Sequence, residues 1–173
     1  MFKQLLSVFL ESRCPLCDRT NPETICTYCQ RKLNSYKLDK PDRFWQGDLP
    51  VFAWGRYDGQ LKQAIAKLKY DRQPEIGSLL GKWLGHSWTN KKLIKQQKIT
   101  IIPIPLHYQK LKIRRYNQAA IIAKSFCQQT GYLLNNKSLI RVRNTKAMYE
   151  LNPSERIKNL KNAFAISDRL PKY

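Results

Sequence analysis

Residues Ile99-Thr100-Ile101-Ile102-Pro103-Ile104-Pro105-Leu106 decide the fold class of this chain. Their apolar side chains run almost unbroken, so a strand formed there would bury both faces, as strands of a parallel sheet do. Upstream, Pro74 can open a helix whose Ile76, Leu79, Leu80, Trp83, Leu84 and Trp88 recur every three or four residues, a stripe that reads as core. Downstream, a loop leads into a helix over about 117–129 that Gly131 can end in the left-handed conformation. Farther out, the β-branched and aromatic residues of 51–57 predict a strand. Asp58-Gly59 introduces a helix with Leu61, Ile65 and Leu68 on one face. Residues 132–142 predict one or two strands, Asn152-Pro153-Ser154-Glu155 a helix start, and 163–166 a further strand. Such alternation predicts an α/β domain with a mainly parallel sheet over 49–173. Residues 30–49, without sustained period, read as an irregular wrap.

Composition limits the function classes. The chain has 173 residues, 42% of them hydrophobic, which is enough for a folded core and far from the profile of disorder. The apolar run 99–106 falls well short of the ~20 residues needed to span a bilayer, so no membrane insertion is expected. Residues 1–11 hold a short apolar run with no small-residue cleavage site after it, which predicts a packed amphipathic helix rather than an export signal. A reducing cytoplasm is then the expected compartment. The formal net charge is +20, from 32 Lys+Arg and 12 Asp+Glu. A field of that sign draws polyanions, which makes nucleic acid, phosphorylated metabolites and anionic lipid the partner classes, although each basic cluster alone reads as solvated surface.

Four of the five cysteines fall as Cys14-Pro15-Leu16-Cys17 and Cys26-Thr27-Tyr28-Cys29, eight residues apart. Two such knuckles bring four thiolates to one tetrahedral centre. A segment this short cannot build a core of its own, so metal binding would drive its folding. Zinc is the first choice for an all-thiolate shell and a rubredoxin-type iron the rival. A closed shell leaves no open position for catalysis, and a reducing compartment disfavours disulfides. Residues 1–48 thus read as a metal module with its linker. Cys127, on a predicted helix, reads as a small buried hydrophobe.

The knuckles, followed by Tyr57-Asp58-Gly59, Leu68-Lys69-Tyr70, Pro103-Ile104-Pro105-Leu106-His107, Arg114-Arg115-Tyr116-Asn117-Gln118-Ala119, Arg141-Val142-Arg143-Asn144-Thr145 and Arg156-Ile157-Lys158-Asn159, resemble the ComF competence family in order and spacing. The resemblance covers nearly the whole chain. It implies a zinc module joined to a type I phosphoribosyltransferase-like domain and a link to DNA uptake in natural transformation. By motif match it carries substrate contacts onto Arg114, Asn117, Gln118, Arg156 and Asn159, and in the family the substrate is phosphoribosyl pyrophosphate with magnesium. Two adjacent carboxylates and a Thr/Gly-rich turn would hold that sugar. Here no two of the twelve carboxylates are adjacent, and the one Thr-Gly pair, Thr130-Gly131, lacks an acidic partner. The motif would begin just beyond Tyr173. Arg115 stands where the family has glycine, and Met148 where it has glutamine. These departures predict a C-terminally truncated, catalytically inactive chain, which a second polypeptide could complete and which would aggregate without one. The other reading is a basic zinc protein that binds single-stranded DNA, with Tyr28, Tyr36, Phe44 or Trp45 available for stacking.

Overall fold

The computed structural model of the chain describes residues 13–91, 93 and 98–167; the expected N-terminal helix lies outside them. The described elements are α1 (Thr27–Asn34), α2 (Gly59–Tyr70), α3 (Pro74–Thr89), β1 (Thr100–Ile101), α4 (Tyr108–Arg114), α5 (Gln118–Thr130), β2 (Leu133–Leu134), β3 (Leu139–Arg141), a 3₁₀ turn (Met148–Glu150), α6 (Pro153–Leu160) and β4 (Phe164–Ile166).

Local chemistry sets the helix ends. The Asp58 side chain accepts from the Gly59 N–H at the start of α2, and Pro74 occupies the first turn of α3. Asn117 caps α5 by accepting from the Ala119 N–H, and Gly131 ends it at φ +77°. Asn152 and Glu155 form a reciprocal capping box on α6. The core joins Leu33 of α1, Leu61, Ala64 and Leu68 of α2, and Ile76 and Leu80 of α3 to Trp54 and to buried Cys14, Cys26 and Cys29. The cysteine segment therefore shares a core with the helices instead of depending on a metal alone. Against α5, α3 presents Gly77, Gly81 and Gly85, one per turn. A Cβ on Gly81 would meet the Ile122 carbonyl oxygen at 2.3 Å, so the glycines bring the two helices into close approach. The apolar stripe was legible from the sequence; its glycine neighbour was not singled out.

The strands are shorter than the sequence predicts. β1 pairs with β2 in parallel, Thr100 opposite Leu133 and Ile101 opposite Leu134. β3 pairs with β4 antiparallel, Leu139 opposite Ile166. Among the described residues these are two separate two-stranded sheets, not one mainly parallel sheet. The ladder of β1 stops where Pro103 and Pro105 supply no N–H, and Ile102 and Ile104 are exposed to 45% and 56% rather than buried. No strand forms over 51–57, where Val51 and Gly55 make isolated bridges to Phe44 and Lys37. Aromatic packing on α3 takes its place: Trp54 stacks on Trp83 at 5.2 Å, and Phe52 meets Trp88 edge-on at 5.2 Å. Residues 30–34, expected to be irregular, belong to α1, and a separate helix, α4, occupies the loop expected before α5.

Candidate metal centre

The first knuckle turns because the Cys17 and Asp18 N–H groups both donate to the Cys14 carbonyl, with Asp18 at φ +61°. The second sits on the first turn of α1, where Cys26 is the cap and its sulfur accepts from the Cys29 N–H at 3.4 Å. The Cys26 N–H in turn points at the Cys14 sulfur at 3.5 Å. The four sulfurs all lie within 4.8 Å of one another, with Cys17 and Cys26 Sγ 3.6 Å apart. A tetrahedral ion with metal–sulfur bonds of about 2.3 Å sets its sulfurs roughly 3.8 Å apart, so the cluster fits one. Burial raises the Cys14 thiol, but N–H groups from Cys26, Leu16 and Cys17 outweigh it and bring the pKa down to about 7. Burial and thiol contacts with Cys17, Cys26 and Cys14 push Cys29 up. An amide-bonded thiolate at Cys14 is what a cation needs as a first ligand. Next to Cys29, the exposed Tyr28 ring lies between Arg19 at 4.9 Å and Lys32 at 4.8 Å. Phe44 carries Arg43 at 4.5 Å. Trp45 is packed edge-on against Trp88 at 5.1 Å, and Tyr36 is half-buried.

The residues carried over for substrate divide into two groups. Arg114, Asn117 and Gln118 share the turn between α4 and α5. Arg114 donates to the Gln118 Oε1 at 3.2 Å and to the Tyr70 hydroxyl at 3.4 Å, lying over that ring at 5.0 Å. Asn117 is held as a helix cap and donates to the Ile104 carbonyl at 3.0 Å. Gln118 is buried, and its Nε2 has no partner among the described residues. Arg156 and Asn159 belong to α6. Arg156 Nε donates to the Met148 and Leu151 carbonyls, while Asn159 exchanges bonds with both backbone groups of Lys146. They brace the loop 146–151. Arg115 adopts φ +70° at the end of α4, the conformation that a glycine there serves. His107 is buried at the head of α4 beside the Tyr108 ring, its Nδ1 without a partner among the described residues. Cys127 is buried in α5, and burial raises its thiol. Lys69, Tyr70, Arg72 and Lys110 surround Arg114; the sequence reading quoted Leu68-Lys69-Tyr70 as a motif but assigned none of these four to the site.

The chain is 30% identical over 149 residues to competence protein F of Haemophilus influenzae, covering 82% of this chain and 64% of that protein. It is 26% identical over 159 residues to DNA utilization protein YhgH of Salmonella typhimurium, covering 90% and 65%, and 26% identical over 164 residues to the protein of that name from Salmonella typhi. The chain thus spans just under two thirds of the length of these relatives. No family model and no solved structure matches it. Identity of 26–30% over most of the chain, with these names, supports the ComF-family assignment made from the motifs.

Proposed function

We propose that this chain serves DNA uptake as a zinc-clamped, basic protein that holds single-stranded DNA. The observation that carries the reading is Tyr28: an exposed ring beside a metal-ligand cysteine and between Arg19 and Lys32, the pairing of stacking platform and phosphate cation that single strands require. The +20 charge supplies the attraction. Zinc fits the all-cysteine shell and would fix the head that presents Tyr28. It adds no reaction step, since four thiolates fill its coordination. The names of the relatives point to competence and DNA utilization, which agrees with a strand-handling role next to the competence machinery. The phosphoribosyltransferase-like scaffold and its magnesium-dependent sugar site rest on resemblance alone. The exposed Ile102 and Ile104 beyond β1 give a second polypeptide an apolar edge to cover.

The test is titration of the full chain with an oligothymidylate across salt concentrations. Log affinity is expected to fall linearly with log salt, and Tyr28→Ala to cost about 1–3 kcal/mol without changing the slope. Salt-independent or undetectable binding would remove the reading.

A further inference from the structure

The four sulfur ligands of the metal centre are not equally shielded. Cys14, Cys26 and Cys29 are 1%, 8% and 5% exposed and belong to the core cluster, whereas Cys17 only packs against that cluster and stays partly open to solvent. Its knuckle runs on into the exposed Asp18, Arg19 and Thr20. The sulfur that Cys17 touches is that of Cys26, 3.6 Å away on the other knuckle. Cys26 stands at the cap of α1 on extended backbone, φ −62° and ψ 151°, while Cys29 lies inside the helix. Both partners of the contact therefore sit where the chain is not held in a helix. Closing 3.6 Å to the ~2.05 Å of a disulfide brings the two sulfurs about 1.5 Å nearer. A small uncharged oxidant meets Cys17 before the other three ligands, and Cys17 already has a second sulfur in contact. Cys127 is the contrast, buried in α5 and outside the sulfur cluster.

We propose that Cys17 and Cys26 form a peroxide-sensitive pair whose oxidation to a disulfide releases the metal. The Cys17 thiolate attacks one oxygen of a hydroperoxide: an S–O bond forms, the O–O bond breaks, and the departing hydroxide takes up a proton to give water. The Cys26 thiolate then attacks the Cys17 sulfur: the S–S bond forms, the S–O bond breaks, and the second hydroxide is protonated in its turn. Two thiolates have lost two electrons and the peroxide has gained them, with two protons consumed and two waters formed. A disulfide sulfur carries no charge to hold a cation, so two of the four ligands are gone and the ion leaves. A thiol reductant with fresh metal restores the centre. The inference rests on the zinc part of the reading above and not on strand binding.

The full zinc-loaded chain, Cys17→His and the control Cys127→Ala are exposed to hydrogen peroxide. Histidine keeps a ligand for zinc at position 17 but removes the thiol. Zinc release is followed with a chromogenic indicator against a peroxide-free blank, disulfides are mapped by mass spectrometry, and circular dichroism checks that each chain is folded. The proposal expects one zinc released per Cys17–Cys26 disulfide, recovery with dithiothreitol and zinc, the same rate in C127A, and release about tenfold slower in C17H, where the exposed thiolate is missing. Zinc retained while glutathione in the same vessel is oxidised overturns the pair, as does a disulfide mapped chiefly to other cysteines, equal release from C17H, or insensitivity of C127A. Should C17H load no zinc, the disulfide map of the unaltered chain decides alone. If the unaltered, folded chain itself loads no zinc, the metal reading falls and the pair falls with it; zinc that loads and resists peroxide sinks the pair and leaves the metal reading standing.

Discussion

Arg115 occupies the left-handed region at φ +70°, where its Cβ crowds the backbone, to let the chain reverse between α4 and α5. The turn is needed because Arg114 and Gln118 must face each other across it and Asn117 must cap the next helix. For a residue other than glycine this conformation costs about 1–2 kcal/mol. Glycine would remove that strain but lose roughly 0.4–1 kcal/mol through the extra freedom of its unfolded chain. Arg115→Gly is therefore expected to raise stability by about 0.5–1 kcal/mol, read as a higher urea midpoint at constant slope. A lower midpoint would mean that the guanidinium contributes more than the turn costs. The family resemblance already marked this position as one that glycine serves, and the backbone angle supplies the reason. At Asn117, where the motif implies a substrate contact, the side chain also serves the fold, accepting from the Ala119 N–H and donating to the Ile104 carbonyl.

At the scale of elements, the close pairing of α3 with α5 is the main helix contact downstream of the head. Gly77, Gly81 and Gly85 form a flat face on α3, and a Cβ on Gly85 would meet the Gln129 Cβ at 2.6 Å. Alanine at Gly81 gains about 1 kcal/mol of helix propensity, but it must push the Ile122 carbonyl away in a packed interface that cannot yield on one side only. Gly81→Ala is expected to destabilise by about 1–3 kcal/mol net, the usual cost of overpacking, and to lower the thermal midpoint. An unchanged or raised midpoint would show that the two helices do not approach so closely. The sequence announced α2, α3, α5 and α6, because three- and four-residue spacing and capping residues are local signals, but not α1 or α4. It announced the strands poorly. The run 99–106 has the composition of a doubly buried strand, yet pairing depends on which neighbours arrive, and the prolines within it end the ladder after two residues. In 51–57 the aromatic rings found helix α3 instead of a neighbouring strand.

At the scale of the whole molecule, the cysteine spacing was the most legible feature, since four ligands in sixteen residues leave few arrangements other than a common centre. The cationic cluster around Arg114 was the least legible, because Lys69 and Lys110 are far apart in sequence and meet only when α2 and α4 come together. Also unannounced was the joining of head and helices. Cys14, Cys26 and Cys29 are buried in the same cluster as Leu33, Leu61, Leu68, Ile76 and Leu80. A metal that binds four thiolates of the folded chain stabilises whatever folds with them, and in this cluster that includes α1, α2 and α3. Removing zinc with a chelator is accordingly expected to lower the melting temperature of the helical signal as a whole, in one cooperative step, and Cys14→Ser to do the same without a chelator. A far-UV melt followed together with Trp54 and Trp83 fluorescence checks this. If the chelated chain kept its main transition and lost only a small, separate one, the head would be an independent module, and the shared burial of its cysteines would contribute little to the stability of the helices.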